Sequence, residues 1–110
     1  MFAAAACGGF LFILLIGMKK RYPRVFASGH GLLGLSALAL LTYALTKSAT
    51  PVPKDAWWAV GVLGAAWCGG FVMFRVLRPR TRSLWLALMH GSLGFLGVLL
   101  LARIVLGPIN

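Results

Sequence analysis

HGLLGLSALALLTYAL occupies residues 30–45 and HGSLGFLGVLLLARIV residues 90–105. His30 and His90, which open the two stretches, are the only histidines in the chain. Each begins the pattern His-Gly-x-Leu-Gly and runs on into apolar sequence. Such a run has the length of a bilayer-crossing helix rather than of a strand.

Hydrophobic residues make up 61% of the 110-residue chain, and one acid, Asp55, stands against eleven Lys and Arg. A soluble domain of this size needs more polar surface than that. The net charge of +10 does not indicate nucleic acid, because the bases fall in short runs between apolar stretches and no basic helix or aromatic RNA-binding motif accompanies them. They read as membrane-flanking charge. Cys7 and Cys68 lie inside apolar stretches and match neither a zinc nor a C-x-x-C-H spacing. They read as small packing residues. The N-terminal segment lacks the basic n-region of a cleavable signal and reads as a retained first span.

Four apolar stretches, approximately 2–18, 25–46, 56–77 and 83–106, have the length of membrane-crossing helices. Short connections join them: KKRYPR, KSATPVPKD with Pro51 and Pro53 as helix stops, and RPRTR. Short loops make sequence neighbours antiparallel. The expected fold is an all-α integral membrane four-helix bundle, a single domain over 1–110. Lys19, Lys20, Arg21, Arg24, Arg75, Arg78, Arg80 and Arg82 fall on one side, against Lys47, Lys54 and Arg103 on the other. Eight against three predicts cytoplasmic basic turns and outside termini in a bacterial cytoplasmic membrane. Trp57 and Trp58 suit an outer interfacial anchor.

The chain also repeats itself. CGGFLF starts at Cys7 and CGGFVM at Cys68, each followed by a basic turn and then His-Gly-x-Leu-Gly. The offsets are 61 and 60 residues, from 68 − 7 and 90 − 30. Two copies of one helical hairpin are expected, about 2–46 and 56–106. The second and fourth helices are then parallel, with their histidines at the same end, about 7–11 Å below the cytoplasmic boundary at 1.5 Å per residue.

A titratable side chain at that depth is a functional candidate by default. Haem iron takes two axial ligands on opposite faces, and bundle cores hold cofactors from facing helices. His30 and His90 are therefore the expected ligands of one iron. Gly34 and Gly94 lie one turn beyond them on the same face, and Gly31 and Gly91 beside them, leaving room for a flat macrocycle. Gly8, Gly9, Gly69 and Gly70 let the first and third helices approach the same ring. Arg24, Arg80, Arg82 and Lys20 suit the two propionates. Phe12, Phe26, Phe74 and Phe95 suit the apolar walls. Zinc or copper is disfavoured, because no Cys, Asp or Glu is placed to complete a tetrahedral site.

This layout resembles the small membrane b-type cytochromes, in the broad cytochrome b and b561-like sense. It is also similar to short uncharacterised bacterial membrane proteins with repeated HG-x-L-G helices. The resemblance implies a bis-histidine haem b between helices two and four. In respiratory cytochrome b the ligand helices carry two histidines each. Here the deeper positions, near Ala44 and Ile104, are apolar, so one haem is implied. One haem near one face implies an electron-transfer protein rather than an enzyme. Its partners would be other membrane redox subunits, a second copy of itself, or quinone. The alternative is a non-redox accessory, scaffold or pigment-binding subunit. A small multidrug transporter is disfavoured, because no span holds a carboxylate.

Overall fold

The computed structural model describes residues 1–21, 23–77 and 84–107, with the side chains of residues 76 and 77 left out. Among them it contains α1 (Phe2–Gly17), α2 (Arg24–Thr46), α3 (Lys54–Phe71), a π-helical turn (Val72–Leu77) that continues α3, and α4 (Leu84–Leu106). No strand occurs among the described residues.

Local chemistry sets the boundaries. Pro23 and Pro53 stand just before α2 and α3 with extended ψ of 142° and 143°, where the missing N–H costs nothing. Asp55 lies in the first turn of α3, at the end of the macrodipole that favours an anion. Gly107, at φ 74°, takes the left-handed conformation that ends α4. Lys19 holds the same conformation at φ 55° and turns the chain after α1. Within α2, the Thr42 hydroxyl donates to Leu38 O at 2.9 Å and the Thr46 hydroxyl to Tyr43 O at 2.8 Å. Both hydroxyls are thereby satisfied without water, as an apolar surrounding demands.

The helices form a ring in chain order. α3 packs most extensively on α4, α1 on α4 and α2, and α2 on α3. α2 and α4 therefore stand diagonally, and so do α1 and α3. The buried positions are mostly small: Ala37, Ala56, Ala59, Ala66, Ala87, Gly70 and Gly97, joined by Phe12, Ile16, Leu63 and Met73. Close approach over Ala and Gly is how helices associate where burying apolar surface gives no advantage over lipid. The larger apolar side chains point outward, among them Phe10, Leu32, Leu40, Trp85 and Val105.

α2, α3 with its π turn, and α4 are each long and apolar enough to cross a membrane. The 23 residues of α4 extend about 35 Å at 1.5 Å per residue. α1 has 16 residues, about 24 Å by the same rise, and is shorter than a hydrocarbon core of about 30 Å. Among the described residues, three helices rather than four therefore meet the spanning length, and α1 is a shorter apolar helix packed beside them. The third apolar stretch also differs from a plain α-helix: its last six residues wind as a π turn.

Candidate functional site

His30 and His90 each stand six residues after the first described residue of their helices, Arg24 and Leu84. That is about 9 Å along the axis. The diagonal placement of α2 and α4 brings the two side chains together. Their ring centroids are 6.1 Å apart with planes at 81°. The expected pairing across the bundle axis is thus present in the geometry.

The surroundings of the two rings come from α1 and α3. His90 Nδ1–H donates to the Ala66 carbonyl at 2.8 Å. A carbonyl only accepts, so this bond puts the proton on Nδ1 and leaves the Nε2 lone pair free. Gly70, one turn beyond Ala66, lies so close that a Cβ there would stand 2.7 Å from His90 Cε1. His30 is packed in the corresponding way on α1. A Cβ on Gly8 would lie 3.3 Å from His30 Nδ1, and one on Gly9 3.4 Å from Cε1. Phe12 and the His30 ring meet in a T-shaped arrangement at a centroid distance of 5.5 Å, and Phe74 backs Phe12 at 6.3 Å. Nδ1 of His30 is buried and closes no hydrogen bond. Ala5, the repeat counterpart of Ala66, is the backbone group that faces it, without reaching hydrogen-bond geometry.

The glycines next to the histidines have other neighbours. The Gly31 carbonyl accepts from Trp67 Nε1 at 2.8 Å. Gly34 lies beneath the same indole, with a built Cβ 3.6 Å from its Cδ1, and Trp67 stacks on Phe71 at 5.6 Å. Gly91 takes the end of Ile13, whose Cδ1 would be 2.8 Å from a Cβ. Gly31 and Gly94 both have open space where a side chain would stand. At Gly34 and Gly91 the space expected for a macrocycle is thus lined by protein side chains, whereas at Gly31 and Gly94 it is open. The glycines that touch the imidazoles are Gly8, Gly9 and Gly70.

Among the remaining expected residues, Arg24 and Lys20 are exposed near the histidine end. Arg80 and Arg82 lie outside the described residues. Arg75, in the π turn, donates from Nη2 to Ser28 Oγ at 3.1 Å and so reaches across to the helix that carries His30. Phe26 and Phe95 point outward rather than lining the site. Cys7 and Cys68 are exposed, free thiols, not the buried packing residues expected.

The donor set can be tested against a metal. Two imidazole nitrogens each about 2.0 Å from one ion put ring centroids roughly 6 Å apart, which matches the observed separation. His90 has the arrangement typical of a ligating histidine, with its other nitrogen donating to a carbonyl. No cluster of three or more His, Cys, Asp or Glu occurs among the described residues. Two protein donors leave a first-row ion underfilled unless a further group brings its own ligands, as a porphyrin does. Protein-family models, curated proteins and solved structures were compared with the chain, and none matches.

Proposed function

We propose that this chain is an integral membrane haem b protein that passes single electrons, in which His30 and His90 would hold one haem. The facing of two imidazoles at 6.1 Å, from diagonal helices at equal depth, is the observation that carries the reading. When bound, the group supplies reversible one-electron chemistry at iron.

The chain's own residues hold and shield the site. His90 is oriented by Ala66, and Phe12 with Phe74 closes the His30 side with apolar rings. The open faces at Gly31 and Gly94 are the flanks with room for a macrocycle edge. Arg24, Lys20 and Arg75, with Arg80 and Arg82 beyond the described residues, provide cations for propionates at the basic end. The charge bias favours that end as cytoplasmic, with the termini outside. A single redox group near one face cannot carry electrons across the bilayer, so it serves a neighbouring membrane subunit or a quinone.

The packing of Trp67 onto Gly34 and of Ile13 onto Gly91 favours one second reading, an accessory subunit whose glycines only admit side chains. A reduced-minus-oxidised spectrum of the detergent-purified protein, expressed with haem supplied, separates the two. A b-type band at one haem per chain, lost in His90→Ala, is expected. Well-folded wild-type protein without haem overturns the haem reading and leaves the accessory subunit.

A further inference from the structure

The two histidines are matched in sequence and depth, yet their second nitrogens are treated differently. His90 is clamped: Nδ1 is tied to Ala66 O at 2.8 Å, and α3 presses on the ring through Gly70. This bond fixes tautomer and ring direction, and it raises the basicity of the free nitrogen. His30 Nδ1 is buried without a hydrogen bond. Its ring is held by contact with Gly8, Gly9 and the Phe12 ring, and the Ala5 backbone group that faces it falls short of hydrogen-bond geometry.

A buried polar atom without a partner is a local cost that a change of position can relieve. The same atom makes the ring a weaker donor through its other nitrogen. Both effects act on His30 and neither acts on His90. The helices behind the rings reinforce the difference. α3, behind His90, belongs to the most extensively packed helix pair, α3 with α4. Behind His30 stands α1, the short helix of 16 residues.

We propose that His90 is the anchoring ligand and His30 the displaceable one, so that the site opens on the α2 side to a small neutral ligand such as carbon monoxide. This inference rests on the haem reading. It adds a binding function to it, because a bis-histidine site with two equal clamps would exclude such a ligand.

The test uses full-length protein in detergent, with haem supplied during expression and carbon monoxide as the probe. Haem content of the wild type is read first, and its absence overturns the haem reading itself. In haem-loaded wild type, the reduced protein is expected to bind carbon monoxide. No binding under a saturating atmosphere overturns the inference while leaving the haem reading intact. His30→Ala, and His30→Leu as an apolar filler, are expected to keep haem and to bind the probe more tightly than wild type. His90→Ala is expected to release haem to an excess of apomyoglobin faster than His30→Ala, by about the 10–100-fold that an outer-shell partner contributes to metal affinity. Equal release from the two variants, or the reverse order, overturns the inference. Circular dichroism of each variant shows whether the helices are intact. If neither His30 variant folds, the wild-type result decides alone.

Discussion

The two copies of the Cys-Gly-Gly and His-Gly-x-Leu-Gly hairpin share a motif but not a finish. In the second copy, the carbonyl four residues before Gly70 is bonded to the imidazole. In the first, the carbonyl of Ala5, four residues before Gly9, only faces it. The spacing from Cys-Gly-Gly to His is 23 residues in the first copy, from 30 − 7, and 22 in the second, from 90 − 68. The second copy also passes through a π turn directly after Gly70 and Phe71, whereas α1 ends at Gly17. Such turns are frequent at functional sites. A repeat in sequence therefore fixes which groups meet, while a one-residue change in spacing and a different helix ending decide how closely they meet.

The comparison breaks most visibly at the equivalent glycines Gly70 and Gly9. Gly70→Ala puts a methyl 2.7 Å from His90 Cε1, so about 1–3 kcal/mol of destabilisation is expected from overpacking. Gly9→Ala meets only ordinary contact at 3.4 Å and is expected to be neutral or to stabilise by up to about 1 kcal/mol through helix propensity. Thermal unfolding in detergent reads both. Equal effects would show that the two ring pockets are equally tight.

A smaller effect is expected at Trp67, which has Ala6 as its counterpart in the first copy. Trp67→Phe keeps an aromatic ring against Phe71 and loses the bond to Gly31 O, at about 1 kcal/mol. The same unfolding measurement checks it, and a loss several-fold larger would mean that the indole supports α2 by shape rather than by its N–H. Gly91→Ala follows, below about 1 kcal/mol, because the atom in the way is the far end of the flexible Ile13 side chain. The smallest change is expected for Ser28→Ala. It removes an exposed hydrogen bond to Arg75, and surface changes of this kind stay within about 0.5 kcal/mol. A clear loss of helicity or of thermal stability in that variant would give the π turn a larger part in holding α2 than the contact suggests.

Much of this architecture is legible in the residues. Apolar runs of crossing length, prolines and basic turns between them, and the duplicated motif lead to four helices in antiparallel order. Equal distance from the basic turns leads to two histidines at one level. The limits are equally physical. A helix apolar on every side has no amphipathic stripe to show which face turns inward, so Gly34 and Gly91 could not be told apart from Gly31 and Gly94. Main-chain acceptors leave no composition signal either, which hides the Ala66 carbonyl. Extending the repeat back from CGG by two residues, to Ala5 and Ala66, is the one signal that points there. The lengths of α1 and of the π turn depend on backbone choices after Met18 and Phe71 that no periodicity records.

The ring order α1, α2, α3, α4 has a consequence for how the molecule is assembled. Each hairpin contributes one imidazole, and the two rings meet on the axis between hairpins rather than inside either one. The pair is therefore the property of an association that the loop at residues 47–53 merely makes intramolecular. A tether of this kind raises the effective concentration of one half for the other, and it spares the chain from having to find a second copy in the plane of the bilayer. It also frees the halves to diverge, since each one always meets the other and never itself. The unequal treatment of His30 and His90 is a difference that only a fused pair can keep.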